Sequence, residues 1–171
     1  IHVIMNLSIV IPLKDEAESL PELCDWIARI TNANQYSYEV ILVDDGSTDT
    51  TKEIIESYKD PRIGYIWQEN QERSAARNHG INLAKGEWIC FQDSDDEYLP
   101  EHLQILHEGI QQHPDYKVIR TGLLIFENGK LVGKSAINPS EYDQYPFEGI
   151  QCCSFRSEIF KRGIVFKLNF I

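Results

Sequence analysis

The chain is predicted to be an α/β protein, a mostly parallel sheet flanked by helices. Two observations predict this. Across the first 115 residues, short apolar runs alternate with stretches of helical apolar spacing, and polar clusters follow directly on the ends of those runs. Right-handed crossovers between such units give a parallel sheet with helices on both faces. A third observation, a hairpin signal around Asn128-Gly129, marks a different second half.

The elements follow in order. Leu7 to Pro12 reads as a strand buried on both faces and stopped by proline. Ser19-Leu20-Pro21-Glu22 is a capping-box signal, after which Leu20, Leu23, Cys24, Ile27 and Ile30 recur at helical spacing. Tyr38 to Val43 is a second strand, ending in Asp44-Asp45-Gly46. Thr50 can cap a helix with Ile54, Ile55 and Tyr58 on its inner face, and Ile63 to Trp67 is a third strand. Ser74 to Lys85 is a helix with a small-residue face of Ala75, Ala76 and Ala84, closed by Gly86. Glu87 to Gln92 is a fourth strand that runs into Asp93-Ser94-Asp95-Asp96, and Pro100 to His113 is a helix ending before Pro114.

Beyond residue 115, Lys117 to Phe126 and Lys130 to Lys134 flank Asn128-Gly129, the turn chemistry of a hairpin. Residues 136–149 read as a long surface loop, of the kind that often carries function. Gln151 to Phe155 returns to the sheet, and a short helix covers Arg156 to Arg162.

Composition bounds the function. The 171 residues make one domain, and 42% hydrophobic residues suffice for a core. A net charge of −11 excludes a protein that tracks a nucleic-acid backbone, and argues against a polybasic membrane patch. No run reaches the roughly 18 apolar residues of a membrane span. The four cysteines, Cys24, Cys90, Cys152 and Cys153, form no C-x-x-C pair, and the five histidines lack metal-ligand spacing. Cys24 and Cys90 fall in apolar patterns and read as buried thiols, Trp26, Trp67 and Trp88 as core aromatics, and His79 as a packed residue.

In an open α/β sheet, ligands bind beyond the carboxyl ends of the strands. Three such ends carry polar signals here: Pro12 to Glu16, Asp44 to Asp49, and Asp93 to Asp96. Their convergence on one sheet edge predicts a single site. Asp93, Asp95 and Asp96 crowd carboxylates together, an arrangement a divalent cation relieves; the plainer reading is a solvated turn that caps the next helix. Asp45 can accept a hydrogen bond from a base or a ribose, or serve only turn chemistry. Arg73 and Arg77, four apart, share a helix face; they suit a diphosphate or a base, or pair with surface acids.

These residues, in this order, resemble the inverting family 2 glycosyltransferases of the GT-A fold. The likeness is carried by Ser8-Ile9-Val10-Ile11-Pro12, Val43-Asp44-Asp45-Gly46-Ser47-Thr48-Asp49, Ala75-Ala76-Arg77-Asn78-His79-Gly80-Ile81, Ala84-Lys85-Gly86-Glu87-Trp88-Ile89, and Asp93-Ser94-Asp95-Asp96 with Leu99-Pro100. The first 50 residues look most like polyprenyl-phosphate sugar transferases, and Arg73 to Pro100 more like transferases that build surface polysaccharides. The resemblance implies a Rossmann-like nucleotide-binding part over residues 1–115, and over 116–171 the start of an acceptor-binding part. It implies a UDP- or GDP-type sugar donor, a saccharide or lipid-linked acceptor, no nucleic acid, and a cytoplasmic place at the inner face of the membrane with peripheral association.

By the same resemblance Pro12, Leu13, Glu16, Asp45, Arg73 and Asp93 would hold the nucleotide. Asp95, with Asp93, would hold Mn2+ or Mg2+, the Lewis acid for the leaving diphosphate. A carboxylate base would take the acceptor proton in a single inverting displacement. The sequence departs from the pattern twice. Asp15 stands where asparagine is common. The acidic motif with the base follows a stretch like Gly163-Ile164-Val165-Phe166 in the family, so it is expected beyond residue 171 and the chain is expected to be C-terminally truncated; Glu148 is a stand-in at best. A donor-binding but inactive fragment is the alternative. A nucleotidyltransferase would need a glycine-rich basic loop after the first strand, which Pro12-Leu13-Lys14-Asp15-Glu16 is not.

Overall fold

Four parallel strands joined by helices carry the first half of the chain. The computed structural model describes residues 6–33, 36–127, 129–135, 153–163 and 165–166. The elements are β1 (Asn6–Leu13), α1 (Leu20–Ala33), β2 (Ser37–Asp45), α2 (Thr51–Ser57), β3 (Ile63–Gln68), α3 (Glu72–Leu83), β4 (Trp88–Phe91), α4 (His102–Gln112), β5 (Val118–Arg120), β6 (Leu123–Glu127), β7 (Lys130–Ser135), β8 (Cys153–Arg156) and α5 (Glu158–Lys161). The main sheet has the order β3-β2-β1-β4-β8-β5, and β6-β7 form a separate ribbon. β1 pairs in parallel with both β2 and β4, β2 with β3, while β8 runs antiparallel to β4 and β5.

Strand alternation divides the core into two layers. Leu7, Ile9, Ile11, Val40, Leu42 and Cys90 pack with Leu20, Leu23 and Ile27 of α1, Ile55 of α2, and Leu103 and Leu106 of α4. On the opposite face Val10, Ile41, Val43, Ile89 and Phe91 meet Ala76 of α3, Phe160 of α5, Phe155 and Phe166. Helix α3 sits close because Gly80 has no side chain: a Cβ there would lie 2.3 Å from Val10 Cγ1. As the sequence indicates, Cys24 and Cys90 are buried, and burial pushes their thiols up to about 11 and about 12 respectively, out of the reactive range.

Several local expectations need correction. Pro12 does not stop β1, which runs to Leu13 with Pro12 in register with Val43. Its position matches Val10, whose carbonyl accepts from Gln92 N on the β4 side, and the β1–β4 ladder ends before residue 12, so no partner is lost. Gly86 does not close α3, which ends at Leu83; its N–H donates instead to Ser8 Oγ at 2.8 Å. The run from Lys117 is two strands, because β5 joins the main sheet and only β6 enters the ribbon with β7. Trp67 is 52% exposed, since β3 is the edge strand; Trp88 is buried and Trp26 packs against the core. Asn128, the 136–149 loop with Glu148, and residues 151–152 lie outside the described residues. Among the described residues, no helix is long and apolar enough to cross a membrane.

Candidate active site

The chain order reverses across β1: β2 and β3 lie to one side, and β4 to the other. Such a switch point opens a crevice at the carboxyl ends of the strands. A cleft of about 260 Å³ lies there, lined by Pro12, Leu13, Lys14 and Glu16 after β1, Asp45 at the end of β2, Asn70, Glu72 and Arg73 at the start of α3, and Asp93, Ser94 and Asp95 after β4. The structure therefore brings Pro12, Leu13, Glu16, Asp45, Arg73, Asp93 and Asp95 around one cavity.

The two aspartates that end β2 point to opposite faces. Asp44 is a structural residue: its Oδ1 accepts Ser47 N at 2.7 Å, and its Oδ2 accepts the Tyr65 hydroxyl at 2.7 Å. Asp45 faces the cleft. Its Oδ1 accepts from Gln68 Nε2 at 2.7 Å and from Gln71 N at 2.9 Å. Oδ2 accepts no hydrogen bond among the described residues. The β2–α2 turn passes through Gly46 at φ 86, where a Cβ would lie 3.0 Å from Asn70 N. That close approach draws the loop before α3 into the cleft, which is why Asn70 and Glu72 line it although nothing in the sequence singles them out. Glu72 holds φ at 72, a conformation that costs a non-glycine residue about 1–3 kcal/mol.

The loop after β1 is tied to the loop after β2. Asp15 Oδ1 accepts Thr48 N at 2.7 Å, Glu16 N donates to Thr51 Oγ1 at 3.0 Å, and Ala17 N donates to Asp49 Oδ2 at 3.2 Å. Thr50 stands at the N-cap of α2 without a side-chain cap bond, and Asp49 Oδ1 accepts Thr51 N at 2.9 Å; hydrogen bonding from Thr51, its side chain foremost, holds the Asp49 carboxyl below the usual range. Glu16 Oε1 accepts the Ser94 hydroxyl at 2.8 Å, joining the first and third polar clusters. Its Oε2 accepts the Ser19 hydroxyl at 2.5 Å, so Ser19 turns back towards Glu16.

Arg73 and Arg77 both reach Asp93. Arg77 Nη2 lies 2.7 Å from Asp93 Oδ1, and Arg73 Nη1 3.3 Å from Oδ2. The acid they pair with is thus a residue of the site itself. Asp93 is buried and the Arg77 side chain is only 12% exposed, whereas the Arg73 side chain is 65% exposed at the cleft wall. Carboxylate oxygens of Asp93, Asp95 and Asp96 all lie within 4.8 Å of one another. The N-cap position of α4 is Glu101, beyond the acidic turn. Gln92, fully buried beneath them, donates from Nε2 to Asp96 O at 2.8 Å and so shapes the acidic turn. The oxygen-only donor set fits a hard dication, with Asp95 exposed and Asp93 already engaged by two guanidinium groups.

The family model described as "Glycosyl transferase family 2" matches residues 8–167. The chain belongs to this family. Among curated relatives it is 38% identical over 109 residues to glycosyltransferase GlyG of Streptococcus pneumoniae, covering 62% of this chain and 35% of that protein. It is 32% identical over 144 residues to the amylovoran biosynthesis glycosyltransferase AmsB of Erwinia amylovora, covering 79% and 47%. This family 2 chain therefore spans less than half the length of these relatives. Among solved structures, S. aureus TarS 1–349 in complex with UDP-GlcNAc superposes with a TM-score of 0.69 at 25% identity, over 95% of this chain and 49% of TarS. The mannosyltransferase PcManGT from Pyrobaculum calidifontis, solved with GDP-Man and Mn2+, gives 0.68 at 17% identity over 97% and 48%, a likeness of fold. The expected GT-A architecture is thereby found.

Proposed function

We propose that the cleft binds the nucleoside diphosphate of a sugar donor, and that the protein transfers the sugar to a hydroxyl acceptor with inversion. The observation that carries this reading is the arrangement of Asp45, Arg73 and Asp95 around one cavity at the switch point. Asp45 Oδ2 would accept from the base, Pro12 and Leu13 would border it, and Arg73 would stand beside it. Asp93 would lie near the ribose. Asp95, with Asp93, would hold Mn2+ or Mg2+, which supplies charge neutralisation for the departing diphosphate. The cleft walls carry Glu16, Asp45, Glu72, Asp93 and Asp95 against Lys14 and Arg73, an excess of acid that disfavours a bare diphosphate and favours one accompanied by a dication.

Residues 1–115 would then form the donor-binding part and 116–171 the start of the acceptor-binding part. The UDP-GlcNAc complex of TarS and the name of the amylovoran relative support a nucleotide-sugar donor and a role in surface polysaccharide or glycolipid synthesis. The test is titration calorimetry with UDP and GDP, with and without Mn2+, joined to a turnover assay over nucleotide-sugars. Binding that depends on the metal and weakens by about tenfold or more on Asp95→Ala is expected. Absence of binding to any nucleoside diphosphate would sink the reading. Binding without turnover would instead favour a donor-binding chain that does not transfer.

A further inference from the structure

We infer that His79 is a positioning residue for the base-recognising carboxylate: it acts through Gln68 to fix Asp45, and so contributes to selection of the donor's base. The inference rests on the reading of Asp45 given above and adds to it a residue two hydrogen bonds away.

The geometry is a relay across three elements. His79, in the middle of α3, lies with Nδ1 2.8 Å from Gln68 Oε1. Gln68, the last residue of β3, donates from Nε2 to Asp45 Oδ1 at 2.7 Å. An amide has two ends of nearly equal shape, and only its partners decide which way it faces. Turned over, Gln68 would set its carbonyl oxygen against a carboxylate oxygen, two acceptors at hydrogen-bond distance. Asp45 therefore fixes Nε2 inward, and Oε1 must meet a donor on the far side. That makes His79 Nδ1 an N–H, in either the neutral Nδ1–H tautomer or the imidazolium. The relay holds in both protonation states.

Its consequence falls on specificity. With Gln68 Nε2 and Gln71 N both directed at Oδ1, the Asp45 carboxylate cannot rotate freely, and Oδ2, which takes neither bond, is left as the acceptor for a ligand in the cleft that Asp45 lines. A fixed acceptor favours a base with a ring N–H, as in uracil and guanine. It disfavours cytosine, whose ring nitrogen is itself an acceptor and would leave two lone pairs facing each other. Without the His79 N–H, Gln68 Oε1 loses its donor, and the side chain, held at one end only, can swing away from Asp45. Asp45 then keeps only the Gln71 N–H, and its preference between the two kinds of base relaxes.

The test is titration of the full chain, with Mn2+, using UDP, GDP and CDP, for wild type, His79→Leu, His79→Asn, Gln68→Leu and Asp45→Asn, each first checked for an unchanged far-UV spectrum and a cooperative melt. Wild type is expected to prefer UDP or GDP over CDP by about tenfold or more. His79→Leu and Gln68→Leu should each lower that ratio by about fivefold, and the double variant His79→Leu/Gln68→Leu, titrated in the same way, should lower it no further. His79→Asn, whose side-chain amide nitrogen occupies roughly the place of Nδ1, should restore it. A purely structural His79 would weaken all three nucleotides in parallel and leave the ratio unchanged, which overturns the inference. An unchanged ratio in Asp45→Asn, or no nucleotide binding by wild type, would overturn the underlying reading of Asp45 and the relay with it. A ratio that collapses in Asp45→Asn but survives in His79→Leu would refute the relay alone.

Discussion

Asn78 pairs with both polar backbone atoms of Phe166: its Nδ2 donates to the Phe166 carbonyl at 2.9 Å, and its Oδ1 accepts the Phe166 N–H at 2.9 Å. One side chain of α3 thus completes a backbone segment 88 residues away in sequence. The Phe166 ring packs edge-on to Phe91, 5.3 Å between centroids, and lies beneath the Arg77 guanidinium at 5.9 Å. The same turn of α3 that secures Asp93 through Arg77 therefore also secures the segment after α5. Asn78→Ala should destabilise the protein by about 1–3 kcal/mol, because two bonds go and the Phe166 amide loses its acceptor. Hydrogen exchange at that amide, with urea denaturation, checks it. Asn78→Asp, which keeps the acceptor, should fall between wild type and alanine.

Neighbouring aspartates of the acidic turn should separate in their effects. Asp95 is exposed at the cleft, so Asp95→Ala is expected to leave the melting temperature nearly unchanged and to weaken metal-dependent nucleotide binding by about tenfold or more, roughly 1.4 kcal/mol. Asp93 is the buried partner of Arg77. Asp93→Ala strands that guanidinium and should cost about 3–5 kcal/mol of stability besides the loss of binding. Calorimetry and chemical denaturation on both variants give the comparison. Equal stability losses would show that Asp93 is not the anchor assigned to it.

Much of this was legible in the residues, and the limits have physical causes. The strand–helix alternation, the strand-end clusters and the paired runs on either side of Asn128-Gly129 are local patterns, and each corresponds to an element of the fold. The sequence pointed to Asp45 over Asp44 only through family likeness; the two differ by which face of β2 each occupies, and Tyr65 and Ser47 claim one of them. Asn70, Gln68 and Gln71 carried no signal, because they enter the site through the approach of the α3 loop to Gly46. Trp67 reads as a core aromatic yet is exposed, because an edge strand and a central strand look alike in a run of six residues. Gly86 reads as a helix stop, but its N–H makes a long-range bond to Ser8.

Gly80 should tolerate no side chain. The Cβ of Gly80→Ala would stand 2.3 Å from Val10 Cγ1 and 3.3 Å from Val43 Cγ2, so α3 must move off the sheet. A loss of about 1–3 kcal/mol is expected, despite alanine's better helix propensity. Val10→Ala removes the obstructing methyl groups. The double variant Gly80→Ala/Val10→Ala should therefore be more stable than the sum of the two single changes predicts, by about 0.5 kcal/mol or more in a thermodynamic cycle. Strict additivity would mean that the contact between α3 and β1 is not what limits residue 80.

Stability should fall on mild acidification, and His102 should account for part of the fall. Its ring stacks on Tyr98 with centroids 4.2 Å apart, Nδ1 lies 3.2 Å from Thr121 Oγ1, and Nε2 is buried without a hydrogen-bond partner. Protonation would place an N–H donor and a charge where no acceptor waits, and burial accordingly pushes the imidazole from 6.5 down to about 4. The sign follows from proton counting. Between these two values the unfolded chain binds a proton that the folded chain does not, so stability is complete above the unfolded value and is lost as pH falls towards the folded one. From pH 7 to pH 5 the loss should be about 2 kcal/mol, at the upper end of what one such group can contribute. His102→Phe keeps a ring on Tyr98 and cannot titrate, so the slope of unfolding free energy against pH should flatten by that amount, whatever the variant's absolute stability. Urea midpoints at pH 5, 6 and 7 measure it, and parallel slopes in wild type and variant would show that His102 takes up its proton in the folded protein as readily as in the unfolded chain.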